Sequence, residues 1–231
     1  MHAEDDNLRF LNAQRARFDA VIAEHEGQDS LPQALLDNAV EHFERALCER
    51  LAAETGHATA TSCCRSALRA TPPEVLSIAH HLRSLDVAQR DALLRRMDAR
   101  EAERGASCAF AIAGACSIEG VKPLTCRSGC RCGATGTLAH QVVRSLVQDA
   151  LQAALRDAGY AWMRCELDPA LRIALVHPDP LAAWLDGEDV FADASSTDLP
   201  PAEIGQTFDW LRRRPRTARR ETVDAEPGNE A

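Results

Sequence analysis

Residues 107–132 read SCAFAIAGACSIEGVKPLTCRSGCRC and place Cys108, Cys116, Cys126, Cys130 and Cys132 within one short stretch. Gly114, Gly120, Pro123 and Gly129 interrupt it, so neither a helical nor a strand period carries through. Five thiols in so broken a segment suit a loop folded around something that thiolates hold. A metal ion or an iron–sulfur cluster is the economical occupant. The adjacent pair Cys63-Cys64 lies upstream, behind a small, Thr-rich connector over residues 56–62. The expected fold is all-α: an irregular helical bundle framing a cysteine-rich metal-binding loop.

Helix signals surround the loop on both sides. Thr71 and Glu74 are spaced as a capping box, with Pro72 at the first helical position and Val75, Ile78, Ala79 and Leu82 as the buried face. Asp86 and Gln89 repeat the signal and open a helix to about Arg104. Nearer the N-terminus, Leu8, Leu11, Phe18 and Ile22 give one apolar face over residues 5–26. Ser30 then caps a second helix, with Leu36, Val40, Phe43, Leu47 and Leu51 as its stripe. Downstream, residues 137–159 have the cleanest period, on Val143, Val147, Leu151 and Ala154, and Gly159 ends the run. Asp168 is read as the cap of a helix through Leu175, Pro180 opens a short one through Leu185, and a last helix spans 201–214. Residues 216–231 have almost no large apolar side chain and are expected to be disordered. No strand pattern or repeat stands out. The expected division is an N-terminal helical extension over 1–58, a cysteine-cluster domain over 59–198, and a C-terminal helix and tail over 199–231.

Composition narrows the partners. Aromatics are only 4% of the 231 residues and Ala and Leu dominate, which favours helix over sheet. A net charge of −9 and a pI near 5.4 argue against nucleic acid or an anionic membrane as the main partner. No apolar run approaches the roughly 20 residues of a membrane span, and residues 1–9 lack the apolar core of a signal peptide. The expected compartment is the cytoplasm, which keeps thiols reduced, and nine cysteines is an odd number. Metal ligation is therefore preferred to disulfides. Six arginines fall within residues 212–220, but no aromatic residues interleave them to stack bases, so they are read as a solvated tail.

Cys63, Cys64, Cys108, Cys116 and Cys126 form the main constellation of soft ligands, suited to zinc, copper(I) or iron–sulfur clusters. The spacing is not that of a zinc ribbon. Adjacent Cys63 and Cys64 point in different directions on most backbones, and so serve two metals, or a cluster and a packing position. Cys48 and Cys165 are read as buried packing residues. His80 and His81, neighbours on a helix, cannot face one ion together. Arg65 and Arg127 are read as loop anchors. No Ser/His/Asp or paired-carboxylate arrangement has a telling spacing, and the glycines of 129–136 lack the lysine of a phosphate loop.

The motifs Cys63-Cys64-Arg65, Pro73-Glu74-Val75 with Ile78-Ala79, Cys108-Ala-Phe, Gly114-Ala-Cys116-Ser-Ile and Lys122-Pro-Leu-Thr-Cys126-Arg127 occur in order. Glu166-Leu, Ala174-Leu175 and Trp184-Leu-x-Gly187-Glu188 with Phe191 follow. Together, over about residues 60–191, they resemble the YkgJ-type cysteine-cluster family, whose members are held to chelate zinc or iron. The sequence departs from that pattern at Ala109, Glu119 and Lys122, where the family has proline, tyrosine and arginine. It also lacks a cysteine just before the pair, a place that Cys130, Cys132 or His57 would fill. The resemblance implies an iron–sulfur cluster, with 4Fe–4S favoured, or a zinc or iron ion. It also implies a binding protein acting as carrier, sensor or accessory factor. Flagellin lysine methylases carry a similar cysteine pattern, which implies the alternative of an iron–sulfur-dependent, protein-modifying enzyme. The third reading is a helical module with a protein partner and purely structural zinc.

Overall fold

A computed structural model of the chain describes residues 2–51, 68–102, 108–112, 115–130 and 138–194. Two long helices open it, α1 (His2–Glu24) and α2 (Leu31–Leu51), joined by a turn in which Gly27 takes φ +69°. A positive φ of this kind suits a residue without a Cβ, which explains why the chain breaks there. Leu11, Phe18 and Ile22 of α1 are buried as expected, whereas Leu8 is 38% exposed one turn before the packed face begins. On α2 the buried stripe is Leu31, Leu35, Leu36, Ala39, Phe43 and Ala46, with Val40 only half-buried at its edge.

Next come β1 (Arg69–Ala70), α3 (Pro72–Ser84) and α4 (Val87–Ala102). The capping signals are realised. Thr71 N–H and hydroxyl both donate to the Glu74 carboxylate, at 2.7 and 2.9 Å. At the second cap, Gln89 N–H donates to the Asp86 carboxylate at 2.8 Å. Helix α3 is buried continuously from Pro72 to Ala79, because α2 and α7 (Leu167–Val176) pack on it from different sides. Arg83 fixes the second of these contacts by donating to the carbonyls of Ala174 and His177 at 2.8 and 2.9 Å.

Three features here depart from the sequence expectation. Among the described residues four two-residue strands are present, in two antiparallel ladders: β1 with β4 (Cys165–Glu166), and β2 (Ala111–Ile112) with β3 (Ala115–Cys116). Two residues are too few to show a period of two in sequence. The cysteine stretch is also not all loop, since α5 (Leu124–Cys130) follows a single 3-10 turn at Glu119–Val121. The cap of α7 is Glu166; Asp168 sits in the first turn rather than before it.

Helix α6 (Leu138–Ala158) occupies the middle. Val143, Val147, Ala150, Leu151, Ala154 and Leu155 are buried between α1, α2 and α5. Its end at Gly159 (φ +87°) is closed by Tyr160 N–H donating to Leu155 O at 3.0 Å. Trp184 of α8 (Pro180–Leu185) is fully buried, donates to Ala161 O at 3.0 Å and stacks on Tyr160 at 4.8 Å between centroids. The elements described therefore form a mostly helical bundle within one unit, Met1–Thr197. None of the described helices is long and apolar enough to cross a membrane. The C-terminal segments read as a helix at 201–214 and a tail lie outside the described residues.

One partly buried acid on α6, Asp149, makes stability depend on pH. Burial pushes the Asp149 carboxyl up from 3.8, opposed by Arg164 at 4.0 Å, the Ser145 hydroxyl at 3.1 Å and Arg144. A carboxyl with a raised folded pKa holds its proton more tightly folded than unfolded. Its stabilising contribution is complete below pH 3.8 and falls as pH rises through the folded pKa. Asp149→Asn removes that term, so urea unfolding of the variant across the acid range will show a smaller loss of stability with rising pH than the wild type.

Candidate metal centre

The cysteine segment is built onto α3 chiefly through Glu74, with His81 as a second tie. Beyond its bonds to Thr71, the Glu74 carboxylate accepts from the N–H of Leu124, the first residue of α5, at 2.7 Å. A single buried carboxylate thus satisfies backbone donors at the N-termini of two helices 50 residues apart. Burial pushes this carboxyl up; the Thr71 and Leu124 N–H groups, the Thr71 hydroxyl and the Arg164 guanidinium pull the other way.

Cys108 and Cys116 come from the hairpin. The chain turns at Cys108, with Ala111 N–H donating to Cys108 O at 3.1 Å, and buried Phe110 anchors the turn in the core. Pairing of Ala111 with Cys116 and a 2.8 Å bond from Ser117 N–H to Phe110 O return the chain beside itself. Two helices hold the hairpin from outside. Arg96 of α4 donates to Ala111 O, and the His81 ring of α3 meets Ser117 O at 3.3 Å. His80 points to solvent.

Cys126 comes from the first turn of α5. Pro123 O accepts from the N–H groups of Cys126 and Arg127 at 2.9 and 3.0 Å, which starts the helix. The Thr125 hydroxyl bonds Arg69 O at 2.8 Å and ties α5 to β1. Arg127 is the anchor its position suggested: it donates to the carbonyls of Lys122, Glu119 and Gly120 at 2.9, 3.2 and 3.4 Å, and meets the Glu44 carboxylate at 3.9 Å. One guanidinium therefore clamps the 3-10 turn to the cysteine helix and both to α2.

These elements bring Cys108, Cys116 and Cys126 close enough to act on one another electrostatically. Burial pushes the Cys116 thiol up, against the Ile118 N–H that donates to its sulfur and the nearby Lys122; Glu119 and Cys108 add to the rise. Cys126, more deeply buried, is pushed far above the ordinary thiol range by burial, then by Cys108, Cys116 and Glu74, with Lys122 opposing. Cys165 is not part of the set. It is fully buried, donates to Ala70 O at 3.4 Å, and burial with the nearby Glu74 charge pushes its thiol up to about 12.

Three neighbouring sulfur donors fit a thiophilic metal in kind. Among the described residues, however, no group of three His, Cys, Asp or Glu side chains is arranged to hold an ion on its own. The other expected ligands, Cys63, Cys64 and Cys132, lie outside the described residues, as do His57 and Arg65, and Cys130 is described only as the last residue of α5. Two residues of the site were not foreseen in their roles. Glu74 was legible as a local cap but not as the partner of Leu124. Lys122 is buried, although nothing near it in sequence marks a lysine for burial.

Two outcomes follow for the metal-free protein. Glu74→Ala leaves the Thr71 and Leu124 N–H groups buried without an acceptor and will cost about 2–4 kcal/mol in urea unfolding. Alkylation of the native, reduced protein, mapped by peptide mass, will modify half-buried Cys116 before Cys108, Cys126 and Cys165. A faster reaction at Cys126 than at Cys116 would contradict the arrangement described.

Comparison with family models, curated proteins and solved structures returned no match to this chain.

Proposed function

We propose that this chain is a metal-binding protein whose cysteine thiolates hold an iron–sulfur cluster or a zinc or iron ion, and that it serves as a carrier, sensor or accessory factor. The observation that carries the reading is the placement of Cys108, Cys116 and Cys126, from a hairpin and a helix, near enough for the charge of one to raise the thiol pKa of another. Such gathering is not needed to bury three small side chains. It is what a soft, multivalent ligand needs. The Cys63-Cys64 pair completes the ligand set in this reading. It precedes β1 by a few residues, and β1 is bonded to α5 through Thr125.

The resemblance to the YkgJ-type family supports the same chemistry. Cys130 and Cys132 are the reserve ligands.

Elemental analysis for iron, zinc and acid-labile sulfide, with an absorption spectrum, on protein purified without oxygen tests this directly. Iron with sulfide and a broad visible band is the expected result for a cluster; stoichiometric zinc without colour is the result for an ion site. Single Cys→Ser changes at 63, 64, 108, 116 and 126 will each lower the metal content, whereas Cys165→Ser will not. Unchanged metal content in the first five, or protein that takes up neither metal, would sink the proposal.

A further inference from the structure

A buried histidine joins α1 to α2. His42 is 6% exposed, and Nη1 of Arg17, reaching from an exposed position on α1, stands 2.6 Å from its Nδ1 and 3.1 Å from its Nε2. A guanidinium only donates, so the ring that receives it is neutral and accepts. Protonation removes that lone pair and sets two cations against each other away from water. Burial and then Arg17 push the ring below its ordinary 6.5; Glu41 opposes, and Arg45 adds to the fall. The other charged groups around α2 are engaged elsewhere. Arg15 of α1 holds Asp19 and Asp157, Arg156 of α6 meets Asp157, and Arg127 of α5 meets Glu44. Glu74 and His81 of α3 bond the cysteine segment, Arg83 bonds α7, and Asp149 and Arg144 of α6 act on Arg164. One turn from His42 on the same face of α2, the buried side-chain oxygen of Asn38 has no hydrogen-bond partner among the described residues. On α1 the buried side-chain oxygen of Gln14, one turn before Arg17, likewise has none. The seam thus holds acceptors that nothing satisfies while the ring is neutral.

We infer that His42 is a two-position proton switch in the seam between α1 and α2. Neutral, it accepts from Arg17; protonated, it releases Arg17 into solvent and donates from its ring to the Asn38 side-chain oxygen. The exchange needs no unfolding, because Arg17 already lies at the surface and Asn38 is four residues back on the same helix. The ring binds a proton less readily in the folded chain than in the unfolded one. The neutral arrangement is therefore complete above pH 6.5 and is lost as pH falls through the folded pKa. Helix α1 then keeps its bond to α6 through Arg15 and Asp157 but loses this tie to α2. The switch is independent of the cysteine centre.

NMR of the imidazole groups of the full-length, reduced protein, with His42 assigned from a His42→Gln variant, reads its titration directly. In the wild type His42 will titrate below the ordinary 6.5. Arg17→Gln, on an exposed side chain, will move the titration up, and Arg17→Lys will leave it low. Asn38→Ala will move it further down, because the protonated ring then has no acceptor. A merely structural asparagine would cost stability without touching the titration. Amide hydrogen exchange over residues 10–24, corrected for its intrinsic pH dependence, will rise about threefold between roughly pH 7.5 and 5.5, and less in His42→Gln. A wild-type His42 that titrates at or above 6.5, or is unmoved by Arg17→Gln, would overturn the inference. An Asn38→Ala titration equal to the wild type's would overturn it as well, since the ring would then have no second position. So would equal rises of exchange in wild type and His42→Gln. The Arg17→Gln arm decides alone should Asn38→Ala fail to fold.

Discussion

The bond between the Glu74 carboxylate and the Leu124 N–H is the constraint on which the cysteine segment depends. Helix α5 is seven residues long and contains Gly129, so it has little tendency to form alone. It is started by Pro123, fastened to β1 by Thr125, and aimed by a carboxylate already committed to capping α3. An acid buried this completely is itself costly. It is tolerated because each donor it satisfies would be costly to leave bare, and because Arg164 lies within range of its charge.

Around this junction the fold distributes two tasks. Helix α6, clad by α1, α2 and α5, supplies the apolar interior, and its packing is set by local periodicity. The cysteine segment has little apolar surface of its own beyond Phe110, Ile118 and Leu124. It is held instead by directed polar bonds from Glu74 and His81 of α3, Arg96 of α4 and Arg127 of its own α5. Directed bonds of this kind fix where sulfurs point, which general apolar contact does not.

The helices were legible in the sequence because their causes are local. Thr71 and Glu74 are three residues apart, Asp86 and Gln89 likewise, and Gly27 and Gly159 stand where positive φ is required. The ladders were not legible, since a two-residue strand has no period. Helix α5 was hidden because Gly129 and the flanking turns outweigh its short run of helix formers. Leu8 fits the helical period of α1 yet remains partly exposed, because periodicity tells which face a residue shares and not how far the partner extends. At the centre, the clustering of Cys108, Cys116 and Cys126 could be expected from their density. The cross-link from Glu74 and the burial of Lys122 depend on contacts between distant segments, and no spacing announces those.

The ladder of β1 with β4 joins Ala70 to Cys165, 95 residues later, and is extended by Leu167 N–H donating to Leu68 O at 2.9 Å. During synthesis this imposes an order of events. Every cysteine of the proposed centre leaves the ribosome before the strand that fastens β1 exists. The emerging thiols are thus exposed to ions and oxidants before the fold can shelter them. Only after residue 167 has emerged can β1 gain its partner strand, so that ladder forms after the whole cysteine segment has been synthesised.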